Sequence, residues 1–147
     1  MCIRDRLTAD EAAAWERGRK RVESICEAAH AADVPVLVDA EESWTQDALD
    51  VLVTEMMRRF NGQRAIVYNT VQLYRHDRLA FLRKEAEIAK AGGYHLGMKY
   101  VRGAYMEKER ERAAEKGYPD PLGATKASVD ADYDDARGSD AEHTRQP

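Results

Sequence analysis

The sequence is poor in the residues that build most metal and disulfide sites: its 147 residues hold two cysteines and four histidines. Cys2 and Cys26 have no motif spacing, and Cys26 falls on an apolar helical stripe, so a core thiol is expected rather than a disulfide framework. A reducing compartment fits that usage. His30, His76, His95 and His143 share no ligand spacing, which argues against a metal site. There is no glycine-rich phosphate loop and no nucleophile elbow. No apolar run approaches the ~18–20 residues that span a bilayer, and Met1 to Arg6 lack the apolar stretch of a secretion signal; a soluble chain is expected. An excess of positive charge is missing too, since the net charge of −4 offers no basic face to nucleic acid.

What is present is a globular composition. With 44% hydrophobic and 34% charged residues, the chain can bury a core beneath a densely solvated surface, and its length suits one domain. Thr8 and Glu11 form a capping box, after which Trp15, Val22, Ile25, Cys26 and Ala29 recur at helical spacing. Asp33-Val34-Pro35 breaks that helix. Val36-Leu37-Val38 follows, apolar on consecutive residues, the mark of a parallel strand covered on both faces. Leu49, Leu52, Val53, Met56, Met57 and Phe60 predict a second helix, with Asn61-Gly62 as a left-handed cap. Ala65 to Tyr68 predicts a second strand running into Asn69-Thr70-Val71-Gln72. A third helix through Leu79, Phe81, Leu82, Ile88 and Ala89 ends at Gly92-Gly93, and a third strand runs from Leu96 to Val101. Glu107 to Lys116 is a fourth helix whose interleaved charges read as solvent-facing. Beyond Tyr133 no periodicity is legible.

Alternating helices and strands with short loops require right-handed crossovers and a parallel sheet. A doubly wound sheet would carry a glycine-rich turn after its first strand, and none is found. Polar residues stand instead at the carboxyl ends of all three strands: Asp39 and Glu41, Gln72, then Arg102 and Tyr105. Active sites of (β/α)₈ barrels lie on that face. The expected fold is therefore α/β, a partial (β/α)₈ TIM-type barrel with about three parallel strands and flanking helices. A whole barrel needs ~250 residues, so the chain is expected to be an internal piece. Residues 1–7 stay unassigned, a non-native origin being left open, 8–136 are expected to form the barrel piece, and 137–147 an unassigned, disordered tail.

Alternation along the third strand puts Lys99, Val101, Gly103 and Tyr105 on one face and Tyr100, Arg102 and Ala104 on the other. Facing inward, Lys99 would set an ammonium in a low-dielectric cavity, where it must be paired; Asp39 is the expected partner. Gly103 lets a planar ligand approach the backbone. An ordinary salt-bridge network at the sheet rim would also account for these residues. Two other readings stay open: a Schiff-base aldolase using Lys99, and a non-catalytic module that self-associates through open sheet edges. Tyr68, Tyr74, Tyr94 and Tyr100 read as rim and core aromatics, and Met56-Met57 as core filling.

Leu37-Val38-Asp39-Ala40-Glu41, Tyr68-Asn69-Thr70-Val71-Gln72 and Lys99-Tyr100-Val101-Arg102-Gly103-Ala104-Tyr105 resemble, in order and spacing, the central motifs of the proline dehydrogenase family. The resemblance runs from about Thr8 to Tyr133. It implies FAD held in a distorted barrel, hydride transfer from L-proline to give 1-pyrroline-5-carboxylate, and electrons passed to a quinone. It implies catalytic roles for Asp39, Lys99 and Tyr105. The flavin would be held by Gln72, Lys99, Val101, Arg102, Gly103 and Ala104, and its adenine-nucleotide part by Thr125 and Lys126. Lys99 stands where many bacterial members have arginine, and Val129 where many have threonine. The family's early-strand lysine and its late helix with paired arginines are not found; Arg58-Arg59 reads as a solvated helix face. The piece alone is therefore expected to be inactive. By the same resemblance, the protein sits in the cytoplasm or peripherally at the inner membrane in a bacterium, and in mitochondria in a eukaryote. Oligomeric state is not legible.

Overall fold

The computed structural model describes residues 7–103 and 106–143, with side chains as far as 138. In chain order the elements are α1 (Ala9–Ala31), β1 (Val36–Val38), α2 (Ser43–Phe60), β2 (Val67–Gln72), α3 (Arg78–Gly92), β3 (Met98–Val101), α4 (Met106–Lys116) and α5 (Lys126–His143). The three strands form one parallel sheet in the order β1-β2-β3. Val36 pairs with Val67, and Gln72 with Val101.

Local chemistry sets the helix ends. Thr8 accepts the Glu11 amide while the Glu11 carboxylate accepts the Thr8 amide, the expected capping box. α1 stops at Asp33, which takes a left-handed φ of 57° and receives the Arg64 guanidinium on its side chain and carbonyl, each at 2.7 Å. α3 ends on Gly93 in the left-handed conformation, as expected. α2 does not end that way. Asn61 has φ −99°, and neither it nor Gly62 has a positive φ.

Asn61 ends α2 by another means. Its side chain is fully buried and reaches across to the sheet. Nδ2 donates to the Val67 and His95 carbonyls, both at 2.9 Å. Oδ1 accepts the Ile66 and Val67 amides at 3.0 and 2.9 Å. One amide thus fastens α2 to the start of β2 and to the approach to β3. The chains come close there: a Cβ on Gly97 would lie 2.3 Å from the Val67 carbonyl oxygen.

The core lies between the helices and one face of the sheet. Val36, Val38, Val67 and Met98 pack with Cys26, Leu52, Val53, Met56 and Met57 of α1 and α2. Val71 and Tyr100 pack with Leu82 of α3 and Ala136 of α5. Pleating sends Leu37, Tyr68, Thr70, Gln72, Lys99 and Val101 to the opposite face. Several expectations are corrected here. Leu37 is 51% exposed, so β1 is covered on one face only. Ile25, expected in the α1 stripe, is also exposed. Glu109, in the helix read as solvent-facing, is fully buried. α5 carries regular structure past residue 137 to His143, where an irregular tail was expected; its pattern is too polar for periodicity alone to find.

Candidate functional site

Asp39 follows directly on β1, and Thr70 and Lys99 stand opposite each other in register on β2 and β3. The Lys99 ammonium reaches across β2 and donates to Asp39 Oδ1 at 2.5 Å. Thr70 Oγ1 lies 2.8 Å from the Val38 carbonyl and 3.2 Å from Asp39 Oδ1, so its hydroxyl can donate to either. The hydrogen bond from Lys99 holds the Asp39 carboxyl below the usual carboxylate range; desolvation opposes it, and the Lys99 charge and Thr70 assist. The pair is not enclosed. Lys99 and Asp39 side chains are 39% and 63% exposed on this three-strand part of the barrel.

Gln72, buried on the same face, donates through Nε2 to the Ala40 carbonyl at 2.7 Å. Its Oε1 is buried with no hydrogen-bond partner, an acceptor that ordinarily costs free energy to leave unpaired. Val101 and Met106 pack against the cluster of Tyr74, Leu122 and Val129. Gly103 faces the Met106 sulfur, which a Cβ would approach to 3.0 Å.

The remaining candidates gather elsewhere. Arg102 lies on the helix side, its guanidinium 4.1 Å over the Tyr133 ring and 3.6 Å from Asp130. Lys126 donates to the same carboxylate at 2.5 Å, and this bond lowers the Asp130 pKa, with Arg102 contributing. Thr125 caps α5: its Oγ1 accepts the Ser128 amide at 3.1 Å, and its own amide donates to Ser128 Oγ at 3.2 Å. The set read from sequence therefore divides into Asp39, Gln72, Lys99 and Val101 on the sheet face, and Arg102, Thr125 and Lys126 around the start of α5. Ala104 and Tyr105 lie outside the described residues. Arg59 pairs with Glu23 and Arg58 is exposed, as a solvated face requires.

Sequence reasoning missed a buried polar network behind the site. Asp50 Oδ1 accepts from Gln46 Nε2 and Asn69 Nδ2, and Oδ2 from Arg78 Nη2, all at 2.8 Å. Gln46 also reaches the Thr70 carbonyl at 3.3 Å, and Asn69 Oδ1 accepts the Thr70 amide at 2.9 Å. The residue that touches Asp39 is thus gripped from behind. Polar residues inside otherwise apolar stretches, Gln46, Asp50 and Asn69, were the available signal.

Parallel β-α units with acidic, amide and cationic groups at successive strand ends define a three-strand part of a TIM-type barrel with a polar rim. The family model for proline dehydrogenase matches residues 3–139, and the chain belongs to the proline dehydrogenase family, which is generally flavin-dependent. The Drosophila melanogaster protein named proline dehydrogenase 1, mitochondrial, is 42% identical over 72% of this chain and 16% of its own length. Its Homo sapiens counterpart is 37% identical over 87% of this chain and 21% of its own. A crystal structure of proline utilization A from Bdellovibrio bacteriovorus, inactivated by N-propargylglycine, shares the fold with a TM-score of 0.73 at 24% identity, over 84% of this chain and 14% of that one. The chain thus spans about a fifth or less of these relatives. Among the described residues, no helix is long and apolar enough to cross a membrane.

Proposed function

We propose that this chain is the portion of a proline dehydrogenase that lines the flavin and substrate site, in a protein that oxidises L-proline to 1-pyrroline-5-carboxylate. The observation that carries the reading is the convergence of Asp39, Thr70, Gln72 and Lys99 on one sheet face, with Lys99 and Asp39 at 2.5 Å. The residues fit a flavin. The unpartnered, buried Gln72 Oε1 suits a ring N–H, and a fixed ammonium suits a ring that accepts negative charge. FAD, when bound, would supply the hydride acceptor, with a quinone as the final electron acceptor.

The chain's own residues then hold and orient. Asp39 fixes the Lys99 ammonium, and Lys99 in turn favours the developing negative charge. Gln72 sets orientation through Oε1, while Val101 and Gly103 supply an apolar stretch of β3 and its continuation, backed by Met106 and Tyr74. Arg102, Thr125 and Lys126 serve the nucleotide part, two cations and a helix start being suited to phosphates. Proline's amine gives its proton to bulk solvent, so no strong general base is required. A lysine that forms Schiff bases is activated by a desolvated pocket or another cation, whereas Lys99 is paired to a carboxylate, which disfavours the aldolase reading. The compartment follows the host: mitochondrial in a eukaryote, cytoplasmic or peripheral at the inner membrane in a bacterium.

The test is anaerobic addition of L-proline to the flavin-loaded holoenzyme containing this chain. Bleaching of the visible flavin band, lost in Asp39→Ala and Lys99→Ala, is the expected result. A flavin that proline leaves oxidised, or borohydride trapping of a carbonyl substrate on Lys99, overturns the assignment.

A further inference from the structure

Helix α4 returns to the segment that carries Asp39, and a single buried carboxylate makes the connection. Glu109, fully buried, accepts the Ser43 amide on Oε1 at 2.7 Å and the Ser43 hydroxyl on Oε2 at 2.6 Å. Ser43 is the first residue of α2, and its N-cap, Glu42, makes no side-chain cap bond. The orphan donor of that first turn is therefore satisfied from 66 residues away, by a charge placed at the positive end of the helix. The neighbouring side chains reinforce the clamp. Lys108 pairs with Glu42, and the Arg112 guanidinium lies 4.1 Å over the Trp44 ring.

The clamped segment is the loop that shapes the site. Ala40 presents its carbonyl to Gln72, and Asp39 its carboxylate to Lys99. β3 feeds into α4, so Glu109 joins the helix that follows Lys99 to the helix that follows Asp39. A local side chain at Glu42 could have capped α2 without making that link.

We propose that Glu109 is a positioning residue: by capping α2 through Ser43 it holds the loop after β1 so that Asp39 and Ala40 meet Lys99 and Gln72. This rests on the proline dehydrogenase reading for its kinetic consequence, though not for its geometric one. In the holoenzyme, Glu109→Ala lowers kcat about 100-fold, the scale of a misplacement near 1 Å, and shifts the visible flavin spectrum. Glu109→Gln returns kcat to within about threefold, because a carboxamide can serve both Ser43 groups. Thr54→Val, which removes a buried bond to Glu85 on the α2–α3 side, lowers the melting temperature while leaving kcat and the spectrum unchanged. An alanine variant with wild-type kcat and spectrum overturns the proposal, as does a glutamine variant no better than alanine. Should the wild type fail to oxidise proline, the function falls and an NMR titration of the Asp39 carboxyl decides the geometry. Release of Asp39 into the ordinary carboxylate range in Glu109→Ala sustains the clamp, and an unchanged titration ends it.

Discussion

Replacing Asn61 by alanine tests whether one buried amide holds three segments together. The side chain makes four hydrogen bonds to backbone groups, at 2.9 to 3.0 Å, from a position with no solvent exposure. Water cannot readily replace it. At about 1 kcal/mol net for each bond, the loss is about 4 kcal/mol, and more if the Ile66 and Val67 amides stay orphaned. Against a domain stability of ~5–15 kcal/mol, that is a large share. Asn61→Asp keeps the acceptor for the two amides but sets a carboxylate against the Val67 and His95 carbonyls, so it should lose at least half as much. Equilibrium urea unfolding of the full chain, followed by far-UV circular dichroism, measures both. A midpoint for Asn61→Ala that corresponds to under about 1 kcal/mol of loss would refute the reasoning, because four buried partners would then have found others.

Other consequences can be measured separately. Asp50→Ala strands the Arg78 guanidinium, 2% exposed, and should cost about 3–5 kcal/mol in urea unfolding, as broken buried pairs do; a change within experimental scatter would show Arg78 to be hydrated. Gly97→Ala drives a Cβ to 2.3 Å from a backbone oxygen, and the forced separation of β2 and β3 should cost about 1–3 kcal/mol; a fully stable variant would mean that the strands part freely. The Asp39 pKa is lowered in the folded chain, so its contribution is complete above the unfolded value near ~3.9 and drains as pH falls through the folded one. Wild type and Asp39→Asn should therefore differ in stability at neutral pH and converge only in acid below about pH 4, and convergence already at neutral pH would rule out the pairing. Burial raises the Cys26 thiol pKa and excludes reagents, so peptide mapping should find Cys26 unalkylated by iodoacetamide until the chain is unfolded.

The sequence by itself determined the alternation of elements and, along β3, which residues share a face. Lys99 and Val101 had to stand on one side, because side-chain period follows from backbone geometry alone, whereas only the fold decided that Val36 and Val38 meet the helices while Leu37 is exposed. Asp39 and Gln72 were legible because each sits at the carboxyl end of a strand, whereas Lys99 lies within β3 and was legible through its motif. Tertiary structure decided what has no local period. Glu109 looks like any other acid in a charged helix until α4 is laid against the start of α2, and Asn61 resembles a cap until β2 and the approach to β3 bring four backbone groups to it. Arg102 turned toward α5 once Tyr133 and Asp130 stood beside it. Such partners lie tens of residues apart, and their burial depends on which surfaces the fold brings together; spacing along the chain carries no trace of it.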